Sequence, residues 1–108
     1  MVWYRDLYVG RLIAFRRRKV VEGIEAGKYP AGVYVVILPE SSSSQLEIMS
    51  AGELRHPWIR THCRMIVAIA QGKMEAQGLV ERIAGDVYLG GDSADIRSWL
   101  IERQKASE

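Results

Sequence analysis

The chain has 108 residues, of which 48% are apolar and 26% are charged. This composition excludes the disordered and disulfide-dense classes of protein. The length predicts a single domain over residues 1–108 that buries roughly 65% of the surface exposed by the unfolded chain. Because the formal net charge is only +2, any preference for nucleic acid has to come from a local cluster of cations.

The chain carries one cysteine, Cys63, which excludes an internal disulfide and indicates a reducing compartment. Its first residues lack the basic end and the long apolar stretch of a signal peptide. The longest uncharged stretch, residues 29–39, is much shorter than the about 20 residues that span a bilayer. We therefore expect a cytoplasmic protein without a membrane partner.

The first predicted element is a helix that ends near Ala26. Four apolar side chains fall within about 60° of each other on a helical wheel: Val9, Ile13, Val20 and Ile24. Gly27 and then Pro30 follow as stop signals. Residues 3–9 are rich in aromatic and β-compatible side chains, so this segment is expected to be a strand, a short extended arm or the start of the helix.

Two strands joined by a short connection follow. Residues 32–39 form a continuous β-branched apolar run, which is typical of a strand buried on both faces and central in its sheet. Residues 45–49 alternate between polar and apolar side chains, so one face of this strand meets water. The serine-rich connection, residues 40–44, is short enough to predict a hairpin.

The second half of the chain alternates again between helix and strand. Ser50 and Glu53 have the spacing of a capping box and predict a short helix, which Pro57 stops or re-aims. Residues 65–70 are the next predicted strand. After Gly72, the apolar positions step at the helical period: Ala76, Leu79, Val80, Ile83, Ala84 and Val87.

The last predicted helix carries Ile96, Trp99 and Leu100 and is capped by Asp92 or Ser93. The predicted order is therefore helix, strand, strand, helix, strand, helix, helix. This order indicates an α/β or α+β fold, in which a three-stranded mixed sheet is layered with helices.

A run of four cations is the candidate nucleic-acid site: Arg16, Arg17, Arg18 and Lys19. On a helix these side chains fan out over about 300° and do not form a stripe. Glu22 lies one turn away and can neutralise part of the charge. We favour a solvated helix face, with nucleic-acid binding as the alternative.

Gly72 and Lys73 stand between a predicted strand and a predicted helix, where phosphate-binding loops occur. Such a loop needs a glycine where this chain has Val67 and a hydroxyl residue where it has Met74. Nucleotide hydrolysis is therefore not expected. A small-anion binder or an enzyme using the free backbone amides near Gly72 remains an alternative hypothesis.

No catalytic residue, cofactor or metal is predicted. Cys63 and His62 are adjacent, and if they enter the following strand their side chains point to opposite faces, which favours an inert, buried thiol. Together with His56 these residues could offer three metal ligands. They lack the closely spaced pairs of zinc sites and an evident fourth ligand.

Four aromatic residues are the candidate interface: Trp3, Tyr4, Tyr8 and Trp58. Tryptophan and tyrosine dominate the energetics of protein interfaces, although these four can equally fill the rim of a small core. A sheet of three strands also has an edge that can pair with another chain. Both features make a homodimer a reasonable expectation.

Several segments together resemble one known type of protein: residues 8–10 (YVG), 32–36 (GVYVV), 46–50 (LEIMS), 66–72 (IVAIAQG) with Glu75-Ala76, and 95–97 (DIR). They are similar to those of a family of small bacterial α/β proteins that has no assigned function. The resemblance implies the fold and a bacterial origin, and it implies no catalytic residues. The sequence thus favours a non-enzymatic interaction or binding module that self-associates.

Overall fold

The computed structural model describes residues 1–40, 45–90 and 95–106. The strands are β1 (Trp3–Val9), β2 (Val33–Pro39), β3 (Glu47–Ser50) and β4 (Cys63–Gln71). The helices are α1 (Arg17–Glu25), α2 (Pro57–His62), α3 (Lys73–Leu89) and α4 (Ile96–Ala106), with 3₁₀ helices at Ala14–Arg16 and Ala51–Arg55. Helices and a mixed sheet confirm the α+β class. No helix in the described ranges has the length and apolar character needed to cross a membrane.

Among the described residues the sheet has four strands in the order β1-β4-β2-β3, so the prediction of three strands is wrong. The predicted element order is also wrong, because a strand precedes the first helix, whereas the predicted end of that helix near Ala26 agrees with α1. The first strand runs parallel to β4, and Val9, which was predicted to lie on a helix, pairs with Ile69. The helical wheel misplaced Val9 because a single residue fits both a helical and an extended pattern. The aromatic and β-compatible side chains of residues 3–9 favour the strand that this segment forms.

The prediction that β2 is buried and central is confirmed. It pairs antiparallel with β3 on one side and with β4 on the other, and Val36 faces Ile48 and Ala68. The predicted hairpin is confirmed by the antiparallel pairing of β2 and β3. Within its connection, residues 41–44 lie outside the described part of the chain.

Helices cover both faces of the sheet. Alternation along β2 sends Val36 and Leu38 to one face and Val35 and Ile37 to the other. The first face packs against α3 and α4, through side chains that include Ile83. The opposite face packs against α1, the second 3₁₀ helix and α2: Val20, Ile24, Ala51, Leu54 and Ile59. The result is three layers, with the sheet in the middle.

Two helix starts differ from the expected ones. Ser50 makes no side-chain capping bond, and the segment after it forms a 3₁₀ helix. The 3₁₀ helix ends at Arg55, and Pro57 begins α2, because its fixed φ and missing N–H suit the first helical position. Asp92 and Ser93, the predicted caps of α4, lie outside the described ranges.

Asp95 caps α4 in the described part of the chain. Its Oδ1 accepts a hydrogen bond of 2.7 Å from the backbone N–H of Ser98. This bond favours the ionised carboxylate and lowers the pKa of Asp95.

Two tyrosines tie β1 to the helices above it. The Tyr8 hydroxyl donates a hydrogen bond to Asp86 of α3. Arg103 of α4 donates to the Tyr4 hydroxyl at 3.2 Å, and the two tyrosine rings stack with centroids 6.3 Å apart. Burial raises the pKa of both hydroxyls, and the bond to Asp86 raises that of Tyr8 further. An edge strand with few ladder bonds is thus held by side chains from two helices.

Replacing Tyr8 with phenylalanine tests this tie. We expect a loss of about 1 kcal/mol at neutral pH, because the carboxylate of Asp86 loses its donor. Since the folded state keeps the Tyr8 proton above pH 10.0, where the unfolded chain loses it, wild-type stability falls as the pH rises past that value. The variant should show a shallower fall in urea unfolding. Tyr88→Phe, at a side chain that is 83% exposed, is the control and should match wild type.

Candidate functional site

The outer edge of β1 is covered by a side chain of α4. The backbone N–H of Ile66 donates to Val2 O, so the backbone groups of Trp3 and Arg5 point away from β4. Gln104 meets both of these groups, because its Oε1 accepts from Arg5 N at 2.9 Å and its Nε2 donates to Trp3 O at 3.3 Å. One amide side chain takes the place of a neighbouring strand over this stretch.

The opposite edge of the sheet is β3, a strand of four residues that pairs, within the described ranges, with β2 alone. Met49 faces the side of the sheet that α2 covers, and Ile48 faces the side of α3. Glu47 is exposed. A strand edge of this kind offers backbone donors and acceptors to an added strand.

Trp58 lies beside this edge and is 66% exposed. Its ring stacks on that of His62, with centroids 4.1 Å apart, and His62 Nδ1 lies 2.8 Å from Trp58 O. A groove of about 240 Å³ runs between these rings and the strands. Its lining is Ile37, Pro39, Glu47, Met49, Trp58, Ile59 and His62. An exposed, oriented aromatic side chain therefore adjoins the open edge.

The other three candidate aromatic residues lie apart from Trp58. Tyr4 is 2% exposed and Tyr8 is half-buried, and both pack on the α3 and α4 face. Trp3 is half-buried on the opposite face, where its indole donates to Glu25. The four residues do not form one surface, and their role as an interface stays a prediction.

The four cations of the basic cluster separate into two pairs. Arg16 donates a hydrogen bond to Gln71 and, with Lys19, lines a groove of about 500 Å³ between α1 and the loop before β2. Arg17 and Arg18 line a different groove, on the side of β1. This placement agrees with the expectation that the four side chains spread around the helix and do not share one face. Nucleic-acid binding stays a prediction.

The space between β1 and α1, which we name the β1–α1 groove, has a volume of about 490 Å³. Apolar side chains form part of its lining: Trp3, Leu7 and Val21. Three arginines also line it: Arg5, Arg17 and Arg18. Sequence reasoning missed this groove, because it left residues 3–9 open between strand, arm and helix and did not pair this segment with another strand.

The junction at Gly72 is occupied by a carboxylate of the chain itself. Gly72 has a φ of +88° and precedes the first turn of α3, where Glu75 lies. Glu75 Oε1 accepts from Gln71 N, and its Oε2 accepts from Leu12 N, each at 2.8 Å. A Cβ at Gly10 would come within 1.9 Å of Glu75 Oε1, so this approach requires glycine. An anion near Gly72 and Lys73, which stays a prediction, would meet this negative charge.

Cys63 begins β4 and is half-buried. Burial raises the pKa of its thiol to about 11, which keeps the thiol protonated at neutral pH. His62 is turned toward Trp58, as described above, and does not activate the thiol. Within residues 1–40, 45–90 and 95–106, no group of three histidine, cysteine or acidic side chains is placed to hold a metal ion.

Removing the Glu75 carboxylate should loosen the contact between the loop that follows β1 and the end of β4. We expect Glu75→Ala to lower the free energy of unfolding by about 1–3 kcal/mol, since two backbone donors lose their acceptor. Glu81→Ala, an exposed change on the same helix, should stay within about 0.5 kcal/mol of wild type in the same urea titration. Equal stability of the two variants would contradict the role of Glu75.

Alkylation of Cys63 by iodoacetamide should be slow in the native state. The rise of the thiol pKa from 9.0 to about 11 lowers the thiolate fraction at pH 8 by about a hundredfold. The rate constant is therefore expected to be at least about a hundredfold lower in the native protein than in the same protein in urea. Similar rates in both conditions would show that the thiol is accessible and unperturbed.

Comparison with known proteins finds no family model, no curated protein and no solved structure that matches this chain. What the protein does is therefore argued from the geometry of its own surfaces.

Proposed function

We propose that this chain is a small, non-enzymatic interaction module that associates with a second copy of itself through the open edge of β3. The observation that carries the proposal is the contrast between the two edges of the sheet. At the β1 edge, Gln104 bonds to the outward backbone groups of Trp3 and Arg5. At the other edge, β3 pairs with β2 on its inner side and, among the described residues, has no strand on its outer side. The exposed Trp58 adjoins the open edge.

Antiparallel pairing of two copies of β3 is compatible with the side chains of this strand. A two-fold axis perpendicular to the sheet keeps every side chain on its own face, so pairing centred on Ile48 sets Glu47 opposite Met49 of the second copy. Like charges are then not opposed directly. The four-stranded sheets would join into one of eight strands.

Trp58 extends the proposed contact beyond the backbone. Its groove is lined by Glu47 and Met49, which point to the same face of the sheet. The added strand therefore lies next to this groove, where an indole can bury a large area at low entropic cost. Backbone pairing supplies the direction of the contact, and the aromatic side chain supplies apolar area.

The setting of this module is part of the proposal. Cys63 is a free thiol, which suits a reducing compartment, and we place the protein in the bacterial cytoplasm as a single domain. A nucleic-acid partner is not favoured, because the cations of residues 16–19 separate into two grooves.

Light scattering coupled to size exclusion tests the association. Wild type should show twice the monomer mass at high concentration, and Trp58→Ala should raise the dissociation constant by about tenfold or more. Backbone amides of β3 should gain protection from hydrogen exchange as the concentration rises. The control is Tyr88→Ala, which removes an aromatic side chain of similar exposure at the end of α3 and should leave the mass unchanged.

A monomeric mass at every concentration, or equal effects of Trp58→Ala and Tyr88→Ala, would overturn the proposal. Because Trp58 is largely exposed, its loss should leave the fold intact, which circular dichroism checks.

A further inference from the structure

We propose that the β1–α1 groove binds a small organic anion, whose aromatic or aliphatic body lies on the apolar lining and whose negative group lies among the arginines. The groove is on the α1 face of the sheet, at the edge opposite β3, and is independent of the proposed self-association. Its volume of about 490 Å³ falls within the range of small-molecule sites, about 300–1,000 Å³.

The apolar lining is held in place by the core. Trp3, Leu7 and Val21 are half-buried and pack against the cluster between the sheet and α1. The Trp3 indole is also fixed by its hydrogen bond to Glu25. A ligand meets side chains that are already oriented, so binding costs little further ordering.

The charge around the groove selects the ligand. Arg5, Arg17 and Arg18 line it, and Glu22 is the acidic residue among the lining residues. Glu22 pairs with Arg18 at 3.2 Å. In the described part of the chain, neither Arg5 nor Arg17 has an ion-pair partner, so two guanidinium groups are available to a carboxylate, sulfonate or phosphate.

A small ligand fits these observations better than a nucleic acid. A polyanion needs a continuous track of cations along its backbone. Here Arg16 and Lys19 belong to the other groove, so the track is interrupted. The combination of an apolar lining with two unpaired arginines is what a single anionic group on an apolar body requires.

Titration with 1-anilinonaphthalene-8-sulfonate (ANS), followed by its fluorescence, tests the proposal. N-phenyl-1-naphthylamine (NPN), which lacks the sulfonate, is the matched neutral probe. We expect one saturable ANS site, and Arg5→Gln with Arg17→Gln together should weaken ANS binding by about tenfold while NPN binding is unchanged. Added salt should weaken ANS binding and leave NPN binding unaffected.

Val21→Trp locates the site, because a large side chain at this position fills the groove and should block both probes. The control is Lys28→Gln with Arg64→Gln, which removes the same charge from outside the groove and should change neither titration. Circular dichroism and urea unfolding establish that each variant is folded.

Three results would overturn the proposal. The first is ANS binding that the arginine double variant leaves unchanged. The second is an equal loss of ANS and NPN in that variant, which would show a loosened fold instead of a lost charge contact. The third is binding of a 20-nucleotide thymidine strand that outcompetes ANS and is lost in the same variant, which would assign the groove to nucleic acid.

Discussion

The parallel pairing of β1 with β4 is the interaction on which the rest of the structure depends. Trp3 and Tyr8 pair with Ile66 and Ala68, so a step of five residues on β1 matches a step of two on β4. Such a bulged strand makes few regular ladder bonds. Side chains supply what the ladder lacks: Tyr8 bonds to Asp86 of α3, and Tyr4 accepts from Arg103 of α4. Once β1 is fixed, it forms one wall of the β1–α1 groove.

The same pairing brings together the ends of two parallel strands, where ligands of open α/β sheets usually bind. In this chain Glu75 occupies that place and bonds to the backbone of Gln71 and Leu12. A carboxylate from within the chain thus accepts hydrogen bonds from two backbone amides at the junction. Two accessible concave surfaces lie away from the junction, one between β1 and α1 and one beside Trp58.

Much of the fold follows from local pattern. The apolar run of β2 and the helical stripe of α3 are visible in the sequence. A strand buried on both faces is apolar throughout, and a helix buried on one side has apolar residues at the helical period. The pairing of β1 with β4 cannot be recognised from a local pattern, since the partner strand is about sixty residues away along the chain. Trp58 was identifiable by residue type alone. The contact of Gln104 with the edge of β1 was not identifiable from the sequence. This amide reaches the β1 backbone only because α4 packs beside β1 in the folded chain.

The hydrogen bonds of Gln104 to the edge of β1 bear on how many copies the proposed self-association would join. In the proposed self-association, pairing at β3 would use the open edge, and the eight-stranded sheet would end at both sides in β1, whose outward groups at Trp3 and Arg5 bond to Gln104. A chain with two free edges would continue to add copies without closure and would grow into a fibre. Under that proposal, the amide of Gln104 would stop further strand addition from the edge of the sheet opposite β3.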